Sequence, residues 1–72
     1  MKTITITTEF IKLQDLMKLS DMVSTGGEAK LLIQDGQVLV DGKPCLQRGR
    51  KIRPGNIVAF QNQDYSVVYA NQ

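Results

Sequence analysis

The sequence predicts an α+β fold: two short helices packed on one face of a small antiparallel β-sheet, with an added N-terminal strand. Three observations carry this. Residues 3–7 (TITIT) alternate strictly between Thr and Ile, the period of a strand. Two later stretches repeat apolar residues at helical spacing: Leu13, Leu16 and Met17, then Ala29, Leu32 and Ile33. After Gln37 the chain breaks into short β-branched runs divided by turn residues. Helices and later strands thus fall in separate blocks, which favours α+β over alternating α/β.

Each element has its own warrant. In the first strand Ile4 and Ile6 share one face. Thr8 and Glu9 break the alternation, and Phe10-Ile11 forms an apolar pair leading onward. Residues 13–19 (LQDLMKL) read as a helix, with Leu19 widening the stripe and Gln14 and Lys18 on the polar side. This helix is expected to fray at Ser20-Asp21, with Met22 and Val23 plugging the core. The second helix opens at Ser24-Thr25-Gly26-Gly27-Glu28, where Thr25 and Glu28 have capping-box spacing. Lys30 and Gln34 lie together on an exposed face, and Gly36 ends the helix. Val38 to Val40 is a strand, and Asp41-Gly42 is a tight turn. Ile52 begins another strand, Pro54-Gly55 turns, and Ile57 to Phe60 is a strand. Gln61 to Asp64 is a polar turn before a last strand, Tyr65 to Tyr69.

Composition sets limits on function. The 72 residues make one domain, residues 1–72. A chain of this size buries only about 60% of its unfolded surface, leaving little room for a buried catalytic cavity. The lone Cys45 cannot form an internal disulfide, so a reducing, cytoplasmic compartment is expected. The N-terminal MKTITITTEF is neither a signal nor a transit peptide. No apolar run approaches the ~20 residues of a membrane span. Histidine is absent, as is a G-x-x-x-x-G-K phosphate loop. Asp15, Asp21, Asp35 and Asp41 are scattered rather than paired. A non-catalytic protein without cofactor or metal is the expectation.

Charge is concentrated in one place. Residues 43–53 (KPCLQRGRKIR) hold five basic residues and no acid, so they carry +5 while the remainder sums to 4 − 7 = −3. Pro44, Gly49 and Pro54 make the segment largely loop. Such a run is either a solvated connection or an anion-binding surface, most naturally for nucleic acid. Arg48, Arg50 and Lys51 around Gly49 can clamp phosphates, since guanidinium forks bind them bidentately. Arg53 either joins them or covers a sheet edge. Lys43 is marginal. Phe10, Phe60, Tyr65 and Tyr69 lie in or beside apolar strand patterns and are assigned to the core. That favours recognition of a nucleic acid by shape and phosphate position over stacking on splayed bases. Cys45 sits among cations in the sequence, but it lacks a histidine partner and is read as incidental.

An ordered series of motifs then resembles a known family. LxxLMKL (Leu13 to Leu19) comes first, followed by Ser24, Ala29 and Leu32-Ile33. Gly36-Gln37-Val38-Leu39-Val40-Asp41-Gly42 stands where the family has G-x-V-x-V-N-G. Arg53-Pro54-Gly55-Asn56-Ile57-Val58 stands where it has V-x-x-G-D-x-I-x-V. Together they resemble the S4-like (alpha-L) RNA-binding domain, and over about two-thirds of the chain. The leading strand, Ser24-to-Lys30 (S-x-G-G-x-A-K) and the run from Gln47 to Lys51 are similar to the small stand-alone bacterial members of the YaaA/YbcJ type.

The resemblance implies a two-helix-on-sheet fold and RNA binding without catalysis. Carried over by position, it points to Gly27, Lys30 and Gln34 on the second helix and to Arg48, Arg50 and Lys51 in the loop, with Arg53 and Lys18 at the margins. Three departures stand out. Ser24 is followed by Thr25 where many members have Ser-Arg, Asp41 replaces the family Asn, and Asn56 replaces the family Asp. The expected partner is structured RNA, ribosomal RNA or an assembling ribosomal subunit, bound by a cytoplasmic monomer. Two other readings stay open: a small protein-interaction adaptor whose basic loop meets an acidic surface, and a DNA-associated accessory protein.

Overall fold

A computed structural model of the chain describes residues 1–70. In chain order the elements are β1 (Lys2–Ile6), β2 (Ile11–Lys12), α1 (Leu13–Leu19), α2 (Gly26–Gln34), β3 (Val38–Val40), β4 (Lys43–Pro44), β5 (Lys51–Ile52), β6 (Ile57–Phe60) and β7 (Gln63–Tyr69). Five strands form a sheet in the order β1-β7-β6-β3-β4, and β2 pairs separately with β5. The α+β class and both helices are as the sequence predicts, but the sheet is mixed. β1 runs parallel to β7, from Lys2 opposite Tyr65 to Ile6 opposite Tyr69. The chain crosses both helices and three sheet strands before returning beside β1, the long connection a parallel pair requires.

Alternation puts Ile4 and Ile6, Val38 and Val40, Val58 and Phe60, and Tyr65 and Val67 on one buried sheet face. Leu13, Leu16 and Met17 from α1 and Ala29 and Ile33 from α2 are fully covered and join the same cluster. Each such aliphatic side chain contributes roughly 1.5–3 kcal/mol on burial. Val23 is buried beside them and Met22 half-buried against them. Leu19 does not widen the stripe; it is 58% exposed. Cys45 lies inside the core rather than among the cations, where a thiol behaves as a small hydrophobe. Phe60 and Tyr65 are core residues as expected, but Tyr69 is exposed and Phe10 only half-buried.

Both helices end in the same way. Beyond α2, Gly36 takes φ 77°, and the N–H groups of Gly36 and Gln37 donate to the carbonyls of Ile33 and Leu32. Beyond α1, Asp21 takes φ 61°, and Asp21 and Met22 donate to Lys18 and Met17. These are paired Schellman closures, one on glycine and one on aspartate, so α1 stops cleanly rather than fraying. At the start of α2 the Thr25 hydroxyl accepts from the Glu28 N–H at 3.1 Å. The Glu28 carboxylate reaches one residue further back than a standard box, accepting from the Ser24 N–H at 2.8 Å.

The turns set strand register. Asp41 and Gly42 both have positive φ, 52° and 85°, the type I′ geometry that two-residue hairpins prefer. Gln61 and Asn62 do likewise at 51° and 65°, so β7 begins at Gln63, two residues before the sequence predicts. One side-chain network ties two turns together. Asp41 accepts from the Ile57 N–H at 2.9 Å and the Asn56 amide at 2.7 Å. Asn56 in turn accepts from the Arg53 N–H at 2.7 Å.

Two expectations follow. Gly36→Ala destabilises by about 1–2 kcal/mol in urea denaturation, because a Cβ is forced into the left-handed region. Asp21→Gly moves stability the other way. Asp41→Ala and Asn56→Ala, combined in a double-mutant cycle, show a coupling of at least ~0.5 kcal/mol.

Candidate nucleic-acid interface

The basic segment is fastened, not free. Helix α1 starts directly after β2, and its N-cap residue Lys12 supplies no side-chain cap. The first N–H groups of a helix have no partner within it. Here the Leu13 N–H donates to the Arg50 carbonyl at 2.9 Å, and the Gln14 N–H to the Arg48 carbonyl at 3.1 Å. A turn closes this stretch, with the Arg50 N–H donating to Gln47 at 3.2 Å. Upstream, Cys45 N–H donates to Val38 at 3.0 Å, and its Sγ stands 3.7 Å from the Gln47 carbonyl. Lys43–Pro44 and Lys51–Ile52 are strand residues, so the stretch expected as loop has a short strand near each end.

The β2–β5 ribbon decides which side chains share a face. Ile11 pairs with Ile52 and Lys12 with Lys51. Ile52 is fully buried and Ile11 packs against the core. By alternation the opposite face carries Lys12 and Lys51, with Phe10 and Arg53 one step along. Lys51 Nζ stands 4.9 Å from the Phe10 ring centroid, and Arg53 Cζ 5.7 Å. Arg53 therefore lies against Phe10, beside Lys51.

Arg48, Arg50, Lys51, Arg53 and Lys12 are all exposed. Among the described residues none of them has a carboxylate within 4.0 Å; the ion pair present is Lys18–Asp15 at 3.5 Å. Lys18 thus has a local partner, worth at most a few tenths of a kcal/mol at this exposure. On α2, Gly27, Lys30 and Gln34 are exposed as predicted. Lys30 is the fifth residue of that helix, beyond the first turn where a macrodipole would disfavour a cation. No hydrogen bond or ion pair among the described residues joins these three to the basic segment. A Cβ at Gly26 or Gly27 would meet nothing within 4 Å, and neither has positive φ, so internal packing does not require glycine there.

Two residues escaped sequence reasoning. Lys12 carries no sequence signal because its strand is two residues long, and Phe10 reads as a core residue. A signal existed for Phe10: it follows polar Thr8-Glu9 and precedes Ile11, so only one of the adjacent pair can face inward on a strand. The two turn departures meet in the structure: the Asn56 amide donates directly to the Asp41 carboxylate at 2.7 Å.

Among the described residues no three His, Cys, Asp or Glu side chains are placed to hold a metal ion. No described helix is long and apolar enough to cross a membrane.

Comparison with known proteins agrees with this architecture. The family model described as S4 domain matches residues 4–68. A Bacillus subtilis (strain 168) protein, RlbA, a probable ribosome maturation protein, is 40% identical over 58 residues, covering 81% of this chain and 82% of RlbA. Escherichia coli (strain K12) YbcJ, a candidate RNA-binding protein, is 38% identical over 58 residues, covering 81% and 83%. The solution structure of YbcJ, described by its αL motif involved in RNA binding, superposes with a TM-score of 0.72 at 35% identity, covering 94% of this chain and 87% of that one. With two helices set on the sheet as in that structure, and a family match spanning nearly its whole length, the chain belongs to the S4 domain family.

Proposed function

We propose that this protein is a single-domain, non-catalytic RNA-binding protein that docks structured RNA. The observation that carries the reading is the exposed strip of Lys12, Arg48, Arg50, Lys51 and Arg53. It has no carboxylate partners among the described residues, and hydrogen bonds fix it to the start of α1. Unpaired cations on a fixed scaffold release counterions when they meet phosphates, and this dominates nucleic-acid affinity. Lys30, Gln34 and Gly27 on α2 form a second anchor, with Lys18 peripheral to both. RlbA's name links it to ribosome maturation, and YbcJ's structure is described through RNA binding. These support ribosomal RNA, or a ribosomal subunit under assembly, as the ligand; that the protein acts as a cytoplasmic monomer is part of the same proposal.

Arg48→Ala with Arg50→Ala keeps both backbone carbonyls that cap α1, so the domain stays folded. RNA affinity falls, and the log–log salt slope flattens by roughly 0.7–0.9 for each phosphate no longer neutralised. An unchanged slope in the folded double variant assigns the phosphate-binding role to other residues. Lys30→Glu weakens binding in the same titration if α2 faces the RNA; unaltered affinity removes α2 from the interface. RNA binding also survives excess acidic protein and yields to unrelated structured RNA, the reverse of what an adaptor for acidic partners would show.

A further inference from the structure

Phe10 has no place in the core. It is half-buried and stands outside the cluster that takes Phe60 and Tyr65. A Phe only partly covered forgoes part of the stabilisation that full burial would give. For holding phosphates alone, a polar residue would serve better at this position. The ring is instead set within the cationic face of the β2–β5 ribbon, under Lys51 and Arg53 at 4.9 and 5.7 Å. Lys12, opposite Lys51, extends the same face. The ring's backbone is held too, since the Thr8 hydroxyl donates to the Phe10 carbonyl at 2.8 Å.

We propose that Phe10, with Lys12, Lys51 and Arg53, is a binding site for one unpaired nucleotide of an RNA. The base stacks on the Phe10 ring, and the three cations take the phosphates on either side. The exchange conserves contacts. Two cations give up the ring, the base takes their place on it, and each cation is free to meet a phosphate. A cation that leaves the ring gains a phosphate, so the resting arrangement holds the site ready without blocking it. The proposal rests on the RNA-binding reading and refines it: the RNA presents a bulged or looped-out base beside its paired region. It also reverses the expectation that no aromatic here serves for stacking.

The test compares an RNA hairpin carrying one bulged adenosine with the same hairpin fully paired. The wild-type protein should bind the bulged form about 5- to 150-fold more tightly, the equivalent of one stacked base. Phe10→Leu should abolish that preference, bringing the ratio of the two affinities to about one, and Phe10→Trp should retain it. In proton NMR of the wild type, the Phe10 ring resonances should move upfield with the bulged hairpin alone. Phe60, the other phenylalanine of the sequence and a buried one, should stay in place. This readout decides the matter even if the leucine variant is poorly folded. Equal affinity for the two hairpins, or a preference that survives in Phe10→Leu, overturns the stacking site and leaves RNA binding standing. Binding to neither hairpin overturns both.

Discussion

The structure depends on how α1 obtains its first hydrogen bonds. Lys12 cannot cap the helix through its side chain, so the carbonyls of Arg48 and Arg50 do so from a segment over thirty residues away. Leaving those N–H groups unpaired would cost about 1–3 kcal/mol each wherever water is excluded. The backbone of the basic segment therefore belongs to the fold, while its side chains stay outside. This division resolves a conflict. Closely spaced cations repel within a Debye length of about 8–10 Å, and an unrestrained loop would spread them apart. Here the segment is held at intervals: Cys45 and Ile52 sit in the core, two carbonyls cap α1, and at the far end Asn56 accepts from the Arg53 N–H. Repulsion that the fold withstands becomes attraction once phosphates arrive.

Local features of the fold were legible because local chemistry sets them. The Thr25 cap, the Gly36 stop and the Asp41-Gly42 hairpin each rest on a few adjacent residues whose side chains or φ preferences decide the outcome. What was hidden rests on distant partners. A two-residue strand has no period, so β2 and β4 could not be read before their pairing was known, and β5 was legible only as a strand at Ile52. The parallel register of β1 on β7 involves the two ends of the described chain. Asp21 closing α1 and the two-residue length of the Gln61-Asn62 turn were hidden for another reason: neither uses the glycine that usually marks positive φ.

The candidate site divides along the same line. Arg48, Arg50 and Lys51 were visible as a charge anomaly, since net charge needs no structure. What the anomaly lacked was its neighbours. Lys12 joins through cross-strand pairing, Phe10 through the alternation of the ribbon, and Arg53 through its place over the ring. The two ends of this face derive from residues 10–12 and 51–53, which no sequence pattern connects. The Asp41–Asn56 hydrogen bond is a similar case. As separate turn residues they read independently, but in the structure they form one turn-to-turn hydrogen bond.

A strip of cations alone would bind any polyanion, and its affinity would fall steeply with salt. Adding a flat apolar ring changes the character of the surface, because stacking engages the base and releases no counterions. As salt rises, the phosphate contribution shrinks and the stacking contribution does not. A protein carrying both binds RNA broadly at low salt and becomes selective for positions with an accessible base as ionic strength approaches that of the cell. Selectivity of this kind needs no base-specific hydrogen bonds. It needs only that the ring be kept out of the core, as happens when Ile11 and Ile52 take the inward face of the ribbon and leave Phe10 on the other.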